Sequence, residues 1–213
     1  MPTSSIDELI ERDGGGGAGY HGPFGNGDDW SGNPGIPQRT YVTGMILAVG
    51  GILMFFMALV SAWVVRRGFP NSDWQPIALP RILWLNTVIL VASSFTLARS
   101  RHSLIAGRDT DSRHWWGVTT ILGALFLVGQ LLAWRQMFAA GLFLATNPSS
   151  SFFYVFTAAH GLHVLGGIAA LLLVAWHSPR RLTRETATHV VALYWHFLSA
   201  LWLIIFALFL LEA

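Results

Sequence analysis

The 213-residue sequence contains no cysteine, which excludes disulfides, thiolate nucleophiles and cysteine-based metal sites. It contains no lysine either, so all 13 basic residues are arginine. Charged residues make up only 11% of the chain, against about 25% in an ordinary soluble domain. The net charge of +2 comes without any block of like charges, which argues against a nucleic-acid partner. The polar, acidic start lacks the basic cluster and short apolar run of a signal peptide, so the first membrane helix is expected to direct insertion. Most informative, none of the 11 acidic residues falls inside any long apolar stretch. Proton pumps and ion-coupled carriers normally need an ionisable group within the membrane. Histidines alone are available there, and no transporter-like internal repeat is present, so autonomous pumping or ion transport is not expected.

What is present is apolar surface. Hydrophobic residues reach 53%, with 10 Trp and 14 Phe. That is too apolar for a water-facing surface and suits aromatic belts at two bilayer interfaces. Crossing the hydrocarbon takes about 20 apolar helical residues. Five stretches meet or nearly meet that length: 42–65, 82–98, 116–134, 152–176 and 190–211. Lipid offers no partner for free backbone groups, so these are expected to be helices. The fold class is all-α: a polytopic membrane protein with a bundle of five transmembrane helices in residues 41–213.

Residues 1–40 read as a mostly irregular, Gly-rich tail. Ser5 and Glu8 are spaced as a capping box for a short helix over 6–12. Residues 14–37 are rich in Gly, Asn, Asp and Pro and cannot bury enough surface to fold alone. The tail is either a contact arm for a partner subunit or a loose solvated end. Orientation follows from the arginines. With the N-terminus inside, the inner segments carry Arg12, Arg39, Arg99, Arg101, Arg108, Arg113, Arg180, Arg181 and Arg184, and the outer ones Arg66, Arg67, Arg81 and Arg135. That bias predicts a cytoplasmic N-terminus and an outside C-terminus.

The spans carry polar clusters: Asn86 and Thr87, then Ser93, Ser94 and Thr96, then Thr119, Thr120 and Gln130. Such groups join helices through hydrogen bonds of about 0.6–2 kcal/mol each. His160 and His163, at i and i+3, share a face of the fourth span, and His196 lies in the fifth. They can be packing histidines, contacts to lipid headgroups or a neighbouring subunit, or axial haem ligands. At 1.5 Å per residue, His163 lies about 16 Å and His196 about 21 Å from the outer side, so depth alone permits a bis-histidine pair. Gly166 and Ala170 form a small-xxx-small spacing for close helix approach, with Gly161 and Gly167 nearby, and weaker versions begin at Gly44 and Gly50.

Several of these patterns occur together in one known family. Phe152 to Val164, with His160-Gly161-Leu162-His163, resembles the His-Gly-x-His helix of cytochrome c oxidase subunit III. Tyr194-Trp195-His196-Phe197, followed by Trp202, is similar to that family's Tyr-Trp-His-Phe helix. Leu79-Pro80, Asn86-Thr87 and Ser93-Ser94 match its Pro, Asn-Thr and Ser-Ser helix, and Gly123, Phe126 and Gln130 its middle helix. The motifs cover residues 40–213 in the family's order, and the length resembles the short bacterial form without the first two of seven helices. Three departures concern carboxylates: Gly51 and Ile52 stand where many members have Ser-Glu, Ala133 where a Glu often follows the Gln, and Ser199 where an Asp often follows the Tyr-Trp-His-Phe.

The resemblance implies an accessory subunit of a bacterial respiratory haem–copper oxidase. It implies no catalytic, cofactor-binding or metal-binding residue in this chain, with haem and copper held by partner subunits. It implies contact with oxidase subunit I, other oxidase subunits and bound phospholipid, in the bacterial inner membrane. A nitric-oxide reductase or quinol oxidase relative, or a stand-alone bis-His membrane cytochrome, are the other readings. Asn86, Thr87 and Gln130 become expected helix-joining residues. His160, His163, Tyr194, Trp195 and His196 become candidates for internal hydrogen bonding or lipid-headgroup contact. Asp7, Glu8, Glu11 and Asp13 in the tail become candidate proton collectors.

Overall fold

The computed structural model describes residues 38–69, 74, 79–143, 147–177 and 181–211; side chains at 38–39, 177 and 181–183 are excepted. The tail, with its candidate short helix and acidic residues, lies outside the described residues. Five helices follow in order: α1 (Gln38–Arg67), α2 (Ile82–Ile105), α3 (Asp109–Ala139), α4 (Pro148–His177) and α5 (Arg181–Leu210). All five are long and apolar enough to cross a membrane, and no strand occurs among the described residues.

Four of the helices run well past the charge-free stretches expected from sequence. A helix of 30 residues, such as α1, is about 45 Å long and exceeds the roughly 30 Å of hydrocarbon. The excess lies where arginine stems can reach headgroups and water, so charge does not end the helix there.

Glycine closes two of the turns. Gly107 ends α2 with φ +76°, and Gly141 ends α3 with φ +77°. After α2 the Arg108 amide donates to Ser103 O (2.9 Å) and the Gly107 amide to Leu104 O (3.1 Å). After α3 the Leu142 amide donates to Met137 O (3.1 Å) and the Gly141 amide to Phe138 O (3.0 Å). Both are Schellman closures, which need the left-handed backbone that glycine adopts without steric cost. Asn147 then caps α4, its Oδ1 accepting from the Ser149 amide (3.1 Å), and Pro148 takes the first helical position.

Packing is unequal. The α2–α3 hairpin has the most extensive interface, α5 meets α2 and α4, and α4 also meets α3. Among the described helices α1 meets α4 and α5, and only 6% of its span is buried, against 44% of the α5 span. Its buried contacts come from Phe56 and Trp63. The centre of the bundle holds Trp195, Trp202, Phe126, Phe153 and Phe156, all fully enclosed.

Candidate functional site

A tryptophan side chain buried in a bundle brings a large apolar ring and one N–H donor that lipid cannot satisfy. Four indoles here solve that problem across helix interfaces. Trp195 Nε1 of α5 donates to Ser93 Oγ of α2 (3.0 Å). Trp202 Nε1 of α5 donates to Thr87 Oγ1 of α2 (3.0 Å). Trp134 Nε1 of α3 donates to Thr157 Oγ1 of α4 (3.0 Å). Trp116 Nε1 of α3 donates to the Leu171 carbonyl of α4 (3.0 Å). As α2 proceeds from Thr87 to Ser93, its partner on α5 steps back from Trp202 to Trp195, which is an antiparallel register.

The three hydroxyl acceptors share a device. Each spends its only proton on a carbonyl of its own helix: Ser93 on Leu90 O (2.6 Å), Thr87 on Leu83 O (2.8 Å), Thr157 on Phe153 O (2.7 Å). That leaves an oxygen lone pair aimed outward for the indole. No donor is left over at the interface, so each clasp is complete without water.

Trp195 is the keystone. A Cβ placed on Gly123 of α3 would lie 2.6 Å from Trp195 Cη2, and one on Gly167 of α4 would lie 3.1 Å from both Cε3 and Cζ3. The ring therefore fills a slot between two helix backbones while its nitrogen reaches a third helix. Gly167 makes this approach; Gly166, which the sequence spacing favoured, has only the Tyr194 hydroxyl within range at 3.9 Å. Gly44 and Gly50 have nothing within 4 Å, so the weaker motifs on α1 pack against no described residue.

The expected helix-joining trio divides. Thr87 does join helices, through Trp202. Asn86 and Gln130 are buried, but neither carboxamide has a hydrogen-bond partner among the described residues. Asn86 joins by shape instead: its carboxamide lies directly over Gly129, where any Cβ would overlap it. The bonds between α2 and α3 come from Thr96 with Thr119 (2.8 Å) and Ser100 with the Ser112 carbonyl (2.8 Å).

The histidines also separate. His160 is 0% exposed, packed 5.1 Å from the Trp202 ring and 5.7 Å from Phe126. Neither of its nitrogens has a partner among the described residues, and its burial removes it from lipid contact. His163 Nδ1 donates to its own helix at Ala159 O (2.7 Å), and its ring faces Phe56 of α1 at 5.7 Å. The Tyr194 hydroxyl donates to the His163 carbonyl (3.0 Å), binding α5 to α4. His196 is exposed and bonds through Nδ1 to the Ser94 hydroxyl of α2. Equal depth therefore does not bring His163 and His196 together: one faces α1 and the other α2, so the bis-histidine reading does not fit. Among the described residues no group of three or more His, Asp or Glu could hold a metal ion.

The sequence reading missed the indole clasps, apart from the choice of Trp195. It assigned tryptophan to interfacial belts, and only some, such as Trp84 and Trp176, are exposed. The available signal was Trp195 and Trp202, seven residues apart on one helix, against hydroxyls at Ser93 and Thr87, six apart on another.

Residues 35–211 match the family described as cytochrome c oxidase subunit III. The chain is 34% identical over 170 residues to a probable cytochrome c oxidase subunit 3 of Nocardia farcinica, covering 77% of this chain and 84% of that protein. It is 32% identical over 173 residues to the cytochrome c oxidase subunit 3 of Synechocystis, covering 78% and 72%. A third relative, from Thermostichus vulcanus, is 32% identical over 174 residues, covering 78% and 85%.

Proposed function

The chain belongs to the cytochrome c oxidase subunit III family, and from that membership we propose that it is the accessory, non-catalytic subunit of a bacterial terminal oxidase. As a subunit III it is one part of a larger oxidase complex. Its proposed work is mechanical and dielectric. A bundle standing beside oxidase subunit I excludes water and lipid from that flank and fixes loops near the cytoplasmic proton entrance. Stable proton uptake follows from that support. Haem and copper belong to the partner subunits, and phospholipid fills the grooves around the bundle. The arginine bias supports an N-terminus on the cytoplasmic side.

One observation carries this reading: the paired interior polar groups are used to fasten helices to one another. The Trp195, Trp202, Trp134 and Trp116 clasps consume donors and acceptors in closed pairs. The buried groups left without a partner among the described residues, on Trp63, Asn86, Gln130, His160 and His189, include no carboxylate, so nothing among them resembles a proton relay of acidic groups. The test is purification in mild detergent through a tag on this chain. A large haem- and copper-bearing polypeptide is expected to travel with it, and the chain isolated from that partner is expected to show no haem absorption. A stoichiometric haem band on the isolated chain would overturn the proposal.

A further inference from the structure

Two carboxamides stand inside the bundle with their hydrogen-bonding capacity unspent. Asn86 of α2 is 0% exposed and Gln130 of α3 is 3% exposed. Neither Oδ1 and Nδ2 of Asn86 nor Oε1 and Nε2 of Gln130 meets a partner among the described residues. Each carboxamide carries two N–H donors and an oxygen with two lone pairs. Hydrocarbon cannot satisfy them, and an idle buried group weakens folding by about tenfold. The two groups are close. The Asn86 carboxamide covers Gly129, and Gln130 is the next residue along α3. They also share a depth, at the end of the bundle where α2 begins and α3 ends. Asn86 follows the exposed Arg81 by five residues, and Gln130 precedes the exposed Arg135 by five, so each lies about 7.5 Å inward of a charge. Next to Gln130, α3 carries small buried side chains at Gly129 and Ala133. The hydroxyls of Thr87 and Thr157 are already committed to Trp202 and Trp134. His160 is packed on Trp202 and Phe126 instead.

We infer that Asn86 and Gln130 form a binding site for a structural water that bridges α2 to α3. A buried water makes about three hydrogen bonds to polar groups that would otherwise stay idle. Water both donates and accepts, so it can take a proton from one carboxamide nitrogen and give one to the oxygen of the other, whichever way each amide is turned. A direct bond would need a donor and an acceptor facing each other at about 2.9 Å, whereas a water spans a wider gap. The short distance to the arginine level gives the water a path in from the bilayer surface. The site stands on the geometry of this chain alone and is independent of the partner subunits.

The test uses the full chain in lipid bilayers, labelled with nitrogen-15 and carbon-13, and solid-state NMR transfer of magnetisation from water protons to side-chain nitrogens. Asn86 Nδ2 and Gln130 Nε2 are both expected to receive it at short mixing time. Asn86→Leu should abolish the transfer to Gln130, and Gln130→Met the transfer to Asn86. His160→Phe should leave both signals as they are. Unfolded in mixed micelles, each single variant should raise the unfolding equilibrium constant about tenfold, and the double variant also about tenfold rather than a hundredfold, because with both carboxamides gone no polar group is left idle. Should a variant fail to fold, the transfer in the wild type decides. Transfer to neither carboxamide, or to one alone, would overturn the bridge. So would a coupling across a direct hydrogen bond between Asn86 and Gln130, or single variants more stable than the wild type, the result expected of idle carboxamides.

Discussion

Replacing Gly123 with alanine tests whether Trp195 is held in a slot or merely lies near one. The new Cβ would stand 2.6 Å from Trp195 Cη2, 3.0 Å from Cζ2 and 3.3 Å from Ile168 Cγ1. Carbon atoms in good contact are about 3.5–4.0 Å apart, so the ring would have to withdraw by about 1 Å. It has nowhere to go. Gly167 bounds it on the other side, and the bond to Ser93 holds its nitrogen. Overpacking of this kind costs about 1–3 kcal/mol, set against a gain of about 0.8–1.0 kcal/mol from replacing a helical glycine. The expected net is a destabilisation of about 1 kcal/mol. In a Trp195→Phe background Cη2 and Cζ2 are gone, and the same Gly123→Ala change should become neutral or stabilising. Unfolding in mixed micelles, followed by far-UV circular dichroism for all four corners of the cycle, gives the coupling, expected at about 2 kcal/mol and well above the additivity of independent sites. Equal destabilisation by Gly123→Ala in both backgrounds would refute the keystone role of Trp195.

Three further perturbations follow from the same geometry. Trp202→Phe and Thr87→Val each break one clasp between α5 and α2, and their coupling in a double-mutant cycle should be about 0.6–1.7 kcal/mol; strictly additive losses would contradict the bond. His160→Phe keeps the ring that packs on Trp202 and Phe126 and removes two unpartnered nitrogens, so it should be tolerated, whereas His160→Ala should cost about 3 kcal/mol through the cavity it leaves; thermal stability in detergent compares the two, and an equal loss would refute the packing account. Gly107→Ala forces a left-handed backbone at φ +76° and should cost about 1–2 kcal/mol, with Gly107→Asn costing less; the same unfolding assay checks both, and a neutral Gly107→Ala would contradict the closure described for α2.

The five helices were legible because hydrocarbon thickness dictates the length of an apolar run. Their ends were not, because arginine and polar residues at α3 and α5 lie where they reach water, and the helix continues beneath them. Thr87, Trp195 and His160 stood out as polar or aromatic groups inside apolar spans. Their pairing did not, because pairing depends on how each helix is rotated. In a soluble helix the polar face reports that rotation. Here α1 is almost wholly apolar, and α2 turns its polar Asn86, Ser93 and Ser100 inward among Leu83, Leu90 and Leu97, so a polar face does not mark the outward side. For the same reason Gly166 and Gly167 could not be told apart, and His163 and His196 could be matched in depth while facing different neighbours. Asn86 and Gln130 showed the opposite failure: polar type suggested hydrogen bonding, whereas Asn86 joins helices through its fit over Gly129.

The most direct test of the account is to strip this chain from the purified oxidase complex and follow oxygen consumption in the remainder. An accessory subunit predicts that haem stays with the partner, that the initial rate is largely retained, and that activity then decays faster during turnover with slower proton uptake. Departure of haem together with this chain, or immediate loss of oxygen reduction with the haem still in place, would contradict it.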